Sequence, residues 1–125
     1  ADVQEDRNEA ARELARRSDA IVVLKGDGTI VQEPPDESGD FKAARHYFNA
    51  TGNPGMATGG TGDVLTGILT ALLAQGMAPF DAAVLGVHAH GMAGDLAVDW
   101  GSEVGVVAGD IIEALPETWK KLGSR

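Results

Sequence analysis

Residues 53–67 read Asn53-Pro54-Gly55-Met56-Ala57-Thr58-Gly59-Gly60-Thr61-Gly62-Asp63-Val64-Leu65-Thr66-Gly67. Four of the eight residues from Gly55 to Gly62 are glycine, which lets a backbone adopt positive φ and approach a ligand closely. Apolar residues then recur at helical spacing, namely Val64, Leu65, Ile68, Leu69, Leu72 and Leu73. The pattern predicts a glycine-rich loop that runs directly into a buried helix, with Asp63 at the junction.

The start of such a helix favours anions. Its first N–H groups have no partner within the helix, and the macrodipole adds positive character there. Glycines before the helix leave room for a phosphate group. Asp63 has two possible roles at this junction. It is either the N-cap of the helix or a general base that takes a proton from a hydroxyl bound beside the phosphate.

The loop matches neither of two common phosphate-binding motifs. Gly55 and Gly60 have the glycine spacing of a P-loop, but Thr61 stands where that motif requires lysine. The dinucleotide-binding pattern Gly-x-Gly-x-x-Gly begins at Gly60 and Gly62 and fails at Leu65.

The segment resembles the ribokinase-like superfamily, whose members carry a Gly-(Ala/Thr)-Gly-Asp signature before a helix. Residues 53–65 are more specific and resemble the ADP/ATP-dependent NAD(P)H-hydrate dehydratases, a carbohydrate-kinase-like family of repair enzymes. This resemblance implies that residues 53–62 bind the nucleotide and that Asp63 is both the catalytic base and a contact of the substrate. The implied members of the nucleotide loop are Asn53, Pro54, Gly55, Met56, Ala57, Thr58, Gly59, Gly60, Thr61 and Gly62.

The first part of the chain has the rhythm of an α/β protein. A helix is predicted from Asp6 to Ser18, and the continuous apolar run Ala20–Leu24 predicts a strand buried on both faces, as in a parallel sheet. Residues 25–29 follow this strand, where ligands bind in open α/β sheets. Read from its residues alone, Lys25 is either a phosphate ligand or a surface lysine before the turn at Asp27-Gly28. The family resemblance favours a nucleotide contact through Lys25, Gly26, Asp27, Gly28 and Thr29.

Turn and helix signals predict the remaining strands, loops and helices. A second hairpin strand is expected at 29–31, a solvated acidic loop at 33–40 and a returning strand at 45–49, with His46 on the strand surface. The helix after the glycine loop should end at Gly76, and another is expected at about 80–98. Two further helices are expected at 108–115 and 116–122, with Pro116 in a first turn.

Two histidines and an aspartate fall in the predicted helix 80–98. His88 and His90 are two residues apart and do not share a helical face, so a metal pair is not expected. Residues 90–95 resemble the family's His-Gly-x-Ala-Gly-Asp segment, which we expect to support the nucleotide loop by packing and hydrogen bonds. Asp95 is a weaker candidate for facing the site.

Composition narrows the possible functions. The chain has 125 residues, 43% hydrophobic content, no cysteine and a formal net charge of −9. The negative charge argues against binding to nucleic acid or to an anionic membrane surface. A cytoplasmic protein is expected, and the resemblance to the ribokinase-like superfamily implies that the chain is the C-terminal part of one such domain. That domain would be a three-layer αβα structure with a mainly parallel sheet and flanking helices.

The resemblance implies a specific reaction. Hydrated NADH or NADPH would be phosphorylated on its ring hydroxyl by ADP or ATP with Mg²⁺, and loss of phosphate would restore the dinucleotide. Two alternative functions are also compatible with the residues. One is a small-molecule kinase of the hydroxyethylthiazole kinase type, which the prefix 53–58 argues against, and the other is a non-catalytic nucleotide-binding module. A homo-oligomer is expected, together with a fused or separate epimerase for the hydrated dinucleotide.

Overall fold

Residues 3–123 are described by a computed structural model of the chain. The chain forms two compact units, Ala1–Asn49 and Ala50–Arg125. Within the described residues, no helix combines the length and the apolar character needed to cross a membrane.

The first unit consists of one helix and a three-stranded sheet. The helix α1 spans Val3–Ser18 and packs on the sheet, with Ala11 and Ala15 fully buried. Its first turn carries acidic residues and its last turn arginines, which suits the helix macrodipole. The strands, in chain order, are β1 (Val22–Leu24), β2 (Ile30–Gln32) and β3 (His46–Phe48). Their spatial order is β1-β2-β3 with antiparallel pairing throughout.

The apolar run before Lys25 forms a different strand from the one expected. The strand β1 is half-buried and pairs antiparallel with β2, with Val23 opposite Val31. The antiparallel pairing has a local cause. Gly26 and Gly28 have positive φ and reverse the chain within a few residues. A parallel neighbour needs a crossover of a dozen or more residues. No parallel pair occurs among residues 3–123, so the parallel sheet stays a prediction.

The acidic loop after β2 is solvated, as expected, and is ordered by its own carboxylates. Asp36 accepts from the Ser38 hydroxyl at 2.6 Å and from the Asp40 N–H at 3.0 Å, and these bonds lower its pKa. Glu33 accepts from the Arg45 guanidinium at 2.8 Å, which holds the pKa of Glu33 below its ordinary value. The pair brings the chain back to β3, whose His46 is exposed, as predicted.

The second unit is helical. Its three main helices are α2 (Thr61–Ala74), α3 (Pro79–Trp100) and α4 (Ala108–Gly123). They bury two apolar clusters, one centred on Ile68, Leu72 and Ala82 and the other on Ala93, Ala97, Val106, Ile111 and Ala114. The small residues of α3 allow the neighbouring helices to approach it closely.

The end of α2 confirms the glycine stop. Gly76 has φ 90° and donates to Leu73 O at 3.0 Å, while Met77 N–H donates to Leu72 O at 3.3 Å. These are the two bonds of a Schellman motif, and Met77 packs against the cluster that contains Leu72, an apolar contact that often accompanies the motif.

The two helices expected on either side of Pro116 are a single helix, so that prediction was wrong. Pro116 lies inside α4, where it cannot donate to a carbonyl one turn earlier. The helix continues because Ile111, Ala114 and Thr118 share one fully buried face that spans the proline. Packing of that face outweighs the lost hydrogen bond.

Candidate functional site: a glycine loop at the start of a helix

The loop before α2 has a defined shape. Gly52 and Gly60 have φ values of 104° and 91°, which L side chains rarely adopt. Between them Pro54–Met56 forms a short 3₁₀ helix, whose N-cap Asn53 accepts from Gly55 N–H at 3.0 Å. A Cβ on Gly55 would lie 2.6 Å from the carbonyl oxygen of Glu103, so this position has room only for glycine.

The helix α2 begins two residues before Asp63. Gly60 is its N-cap and makes no side-chain cap bond. The Thr61 hydroxyl closes the loop by sharing its one proton between Met56 O at 2.9 Å and Thr58 O at 3.1 Å. Asp63 is therefore the third helical residue, and the N-cap role considered for it was wrong. The left-handed conformation of Gly60, together with the Thr61 hydroxyl, sets the start of the helix.

This position leaves Asp63 open to a ligand. Its side chain is exposed, and no other residue within 3–123 makes a hydrogen bond or an ion pair with it. Over the same range, no residue accepts from the backbone N–H groups of Gly60, Gly62 or Asp63. A carboxylate thus lies beside free donors at the positive end of a helix.

The helix α3 holds the loop at both ends. The Thr51 hydroxyl donates to His88 O at 3.0 Å. His90 Nε2 lies 2.9 Å from Thr61 O, and because a carbonyl only accepts, this nitrogen carries the proton. Asp95 accepts from the loop near residue 53. The expectation that residues 90–95 support the loop is confirmed.

Two glycines of α3 allow this close packing. A Cβ on Gly91 would lie 2.7 Å from the carbonyl carbon of Thr51, and a Cβ on Gly94 would lie 2.7 Å from Met56 Cε. Met56 also packs against the apolar cluster between α3 and α4. The loop therefore rests directly on the backbone of α3.

An open groove of about 950 Å³ runs between α2 and α4 and begins at Gly60 and Asp63. Its walls are otherwise mostly apolar, with Gln75 as a second polar residue, and their larger apolar side chains are Val64, Ile68, Leu72, Met77, Leu85, Ile112, Leu115 and Trp119. Asp63 is the one carboxylate among the residues that line it. The groove can accept an elongated ligand that carries an anionic group at the Gly60 end and apolar surface along the walls.

The predicted segment Lys25–Thr29 lies in the first unit. It forms the turn between β1 and β2, with Lys25 exposed. The Arg7 guanidinium holds this turn by donating to Asp27 O at 2.7 Å and Gly28 O at 2.9 Å. The alternative reading of a hairpin turn at Asp27-Gly28 is therefore correct as a description of the backbone, and it leaves the nucleotide contact a prediction.

The site residues predicted from the sequence thus form two groups, one in each unit. Residues 53–63 lie together in the second unit, and residues 25–29 lie together in the first. Sequence reasoning did not identify Arg7 as a residue that orders the 25–29 turn, because α1 carries several arginines of similar appearance. His88 and His90 belong to no group of three or more potential metal ligands among residues 3–123.

The comparisons with known proteins agree on one family. Residues 1–117 match the carbohydrate kinase family model described as NAD(P)H-hydrate dehydratase. A bifunctional NAD(P)H-hydrate repair enzyme Nnr from Moorella thermoacetica is 43% identical over 98% of this chain and 22% of its own length. An ADP-dependent (S)-NAD(P)H-hydrate dehydratase from Neisseria meningitidis is 44% identical over 91% of the chain and 36% of its own length.

A solved structure gives the same result. The crystal structure of the ADP/ATP-dependent NAD(P)H-hydrate dehydratase from Bacillus subtilis, co-crystallised with ATP and Mg²⁺, superposes with a TM-score of 0.81 at 34% identity. The match covers 95% of this chain and 40% of that chain, which confirms the α/β fold class. The chain spans between 22% and 40% of the length of these three proteins. It therefore belongs to the carbohydrate-kinase-like NAD(P)H-hydrate dehydratase family.

Proposed function

We propose that the protein dehydrates NAD(P)H hydrates to NADH or NADPH and uses ADP or ATP as the phosphoryl donor. The family match and the names of the relatives from Neisseria and Bacillus support this reaction. The observation that carries the proposal is the exposed, unpaired carboxylate of Asp63 beside the free N–H groups that follow Gly60. An N-cap would use that carboxylate for the helix, whereas here it is free for a substrate.

In the proposed mechanism, Asp63 accepts the proton of the ring hydroxyl as that oxygen attacks the terminal phosphorus of the nucleotide. The free N–H groups of Gly60 and Gly62 stabilise the charge on the transferring phosphoryl group, and the Thr61 N–H, which makes only a long bond of 3.5 Å to Thr58 O, joins them. Phosphate then leaves the ring carbon, and the ring loses a proton to restore its double bond. Fixed dipoles that face developing charge are the main protein contribution to phosphoryl transfer.

The nucleotide is assigned to residues 53–62. We place its phosphates at the free N–H groups and its apolar surface along the groove between α2 and α4, and the mostly apolar walls support this orientation. The segment Lys25–Thr29 is also proposed to contact nucleotide, and its ordering by Arg7 supports a preformed contact surface.

Mg²⁺ supplies charge neutralisation on phosphate oxygens when it is bound. The described residues offer no group of three metal-ligating side chains. Nucleotide phosphates and water are therefore its expected ligands, and no residue is assigned to it.

The test compares two aspartates in the full-length protein. Asp63 and Asp81 are both exposed third residues of long helices, α2 and α3. Their Asp→Asn variants lose the same favourable interaction with a helix dipole, which is worth about 0.3–1 kcal/mol. Recovery of the absorbance of reduced nicotinamide from hydrated NADH is followed with ADP, with ATP and without nucleotide.

We expect nucleotide-dependent recovery in the wild type and in Asp81→Asn. Asp63→Asn should lower the rate by about 10²–10⁴-fold, the usual range for a general base. Full activity of Asp63→Asn would refute its assignment as the base. A wild type that transfers phosphate to a small alcohol, without regenerating dinucleotide, would favour a kinase. Nucleotide binding without any turnover would favour a non-catalytic module.

The proposal extends to architecture and partners. We place both units in one ribokinase-like domain, a three-layer αβα structure with a mainly parallel sheet, and the Bacillus superposition supports this placement. The bifunctional relative supports an epimerase that is fused or separate.

Exposed Trp100, Val104 and Val107 support a homo-oligomer, which light scattering would test. A cytoplasmic location is part of the proposal, since the proposed substrate is the hydrated form of a cellular redox cofactor.

A further inference from the structure

Asp95 contacts the nucleotide loop with both of its carboxylate oxygens. Oδ2 accepts from the Gly52 N–H at 3.1 Å, and Oδ1 accepts from Asn53 Nδ2 at 2.9 Å. The carboxylate is partly buried on α3 and lies more than forty residues away in sequence from both partners. Each oxygen therefore accepts a hydrogen bond from a different group of the loop, one from the backbone and one from a side chain.

The polarity of these bonds fixes the orientation of the Asn53 amide. An ionised carboxylate accepts hydrogen bonds and cannot donate them. The Asn53 amide must therefore direct its NH₂ group toward Asp95, which leaves its oxygen on the opposite side. That oxygen accepts from the Gly55 N–H at 3.0 Å and caps the 3₁₀ helix Pro54–Met56. One carboxylate thus sets the direction of a chain of hydrogen bonds that ends inside the loop.

We propose that Asp95 is a positioning residue that preorganises the nucleotide loop by fixing the orientation of the Asn53 side chain. The functional part of this inference rests on the proposed binding of nucleotide by residues 53–62. Asp95 holds the beginning of that segment, while His90 holds its end through Thr61 O at 2.9 Å. A loop fixed at both ends binds phosphate without first losing conformational freedom.

Replacing Asp95 with asparagine changes the hydrogen-bonding polarity of the side chain but not its size. In Asp95→Asn, the new carboxamide can accept from only one of its two present donors and presents its NH₂ group to the other. If its oxygen accepts from Asn53, its NH₂ group meets the Gly52 N–H, which loses its acceptor. If its oxygen accepts from Gly52, its NH₂ group meets the NH₂ of Asn53, or the Asn53 amide rotates and turns its NH₂ toward the Gly55 N–H. Each arrangement breaks the chain of hydrogen bonds, although the side chain at position 95 keeps its size.

The double variant Asp95→Asn/Asn53→Asp restores the chain with reversed polarity. The carboxamide at position 95 accepts from Gly52 N–H through its oxygen and donates through its nitrogen to the carboxylate at position 53. That carboxylate accepts from Gly55 N–H through its second oxygen. All three hydrogen bonds are available again, which neither single variant allows. Asp99→Asn is the matched control, because Asp99 is an exposed residue one turn further along α3.

The experiment measures amide hydrogen exchange of Gly52 and Gly55 in the full-length protein without nucleotide. We expect about tenfold faster exchange of Gly52 or of Gly55 in Asp95→Asn, whichever N–H loses its acceptor, consistent with the loss of a hydrogen bond to a charged group. We expect a return to within about threefold of the wild type in the double variant and no change in Asp99→Asn. Unchanged exchange in Asp95→Asn, or no recovery in the double variant, would overturn the proposal.

A kinetic arm tests the link to nucleotide binding. With ATP as the varied substrate, Asp95→Asn should raise KM about tenfold and change kcat less than about threefold, because the loop geometry contributes to binding before the chemical step. A loss confined to kcat would refute the positioning role. If the wild type shows no dehydratase turnover, the proposed function fails, while the exchange measurements still decide the role of Asp95 in the loop.

Discussion

Replacing Gly91 with alanine tests whether the loop rests on the backbone of α3. Alanine is favoured over glycine in a helix interior by about 1 kcal/mol. The new Cβ would lie 2.7 Å from both the carbonyl carbon and the Cβ of Thr51, so the loop must move. Overpacking of this kind costs about 1–3 kcal/mol, and loss of the Thr51–His88 hydrogen bond costs about 1 kcal/mol. We expect a net destabilisation of about 2 kcal/mol.

Gly67 is the matched control for this substitution. It lies inside α2, is exposed, and has no atom within 4 Å of a Cβ built on it. Gly67→Ala should therefore stabilise the protein by about 1 kcal/mol. The free energy of unfolding is measured in urea, where a slope of about 2 kcal/mol/M converts these values to midpoint shifts of about 1 M downward and 0.5 M upward. An upward shift in both variants would refute the close contact between the loop and α3.

Three further predictions concern other parts of the chain. Pro116→Ala should raise the free energy of unfolding by about 1–2 kcal/mol, because it restores an N–H donor inside α4, and a lower urea midpoint would contradict this. Glu33→Gln should lower stability at neutral pH by at most about 1 kcal/mol. Because Arg45 lowers the pKa of Glu33 in the folded protein, the ion pair stabilises above the ordinary pKa and its effect fades as the pH falls. Wild type and variant should therefore converge well below about pH 4, and a constant difference would be the contrary result. Gly28→Ala should cost at least about 1–2 kcal/mol, because φ is 73° there and the new Cβ would also meet the Phe48 ring. A neutral effect in urea unfolding would mean that the turn adopts another conformation.

The main elements of the second unit could be predicted because apolar spacing is a local signal. Ile68 and Leu72 recur one turn apart and are both buried, and Gly76 marks the end of α2 by the conformation it adopts. The start of the same helix could not be located in this way. It depends on the left-handed Gly60 and on the Thr61 hydroxyl bonding back into the loop, which the residue pattern does not encode.

The candidate site was predictable only in its contiguous part. Residues 53–63 form one segment whose glycines and aspartate indicate anion binding on their own. Arg7 and Asp95 order predicted site segments from distances of 20 and 42 residues along the chain. Neither side chain differs in type from its exposed neighbours, so only the folded geometry distinguishes it. The predicted break at Pro116 was wrong for a related reason. The packing that keeps α4 helical past the proline comes from its contact with α3, which the sequence pattern does not show.

Met56 gives the loop a chemical vulnerability. Its thioether packs against the apolar cluster of Ala93, Ala97 and Ile111, and its sulfur also lies close to Gly52 and Gly94. Oxidation to the sulfoxide would place a polar oxygen in that apolar contact. The same side chain that holds the loop onto α3 therefore makes the loop sensitive to peroxide. A methionine sulfoxide reductase would be needed to restore its fit.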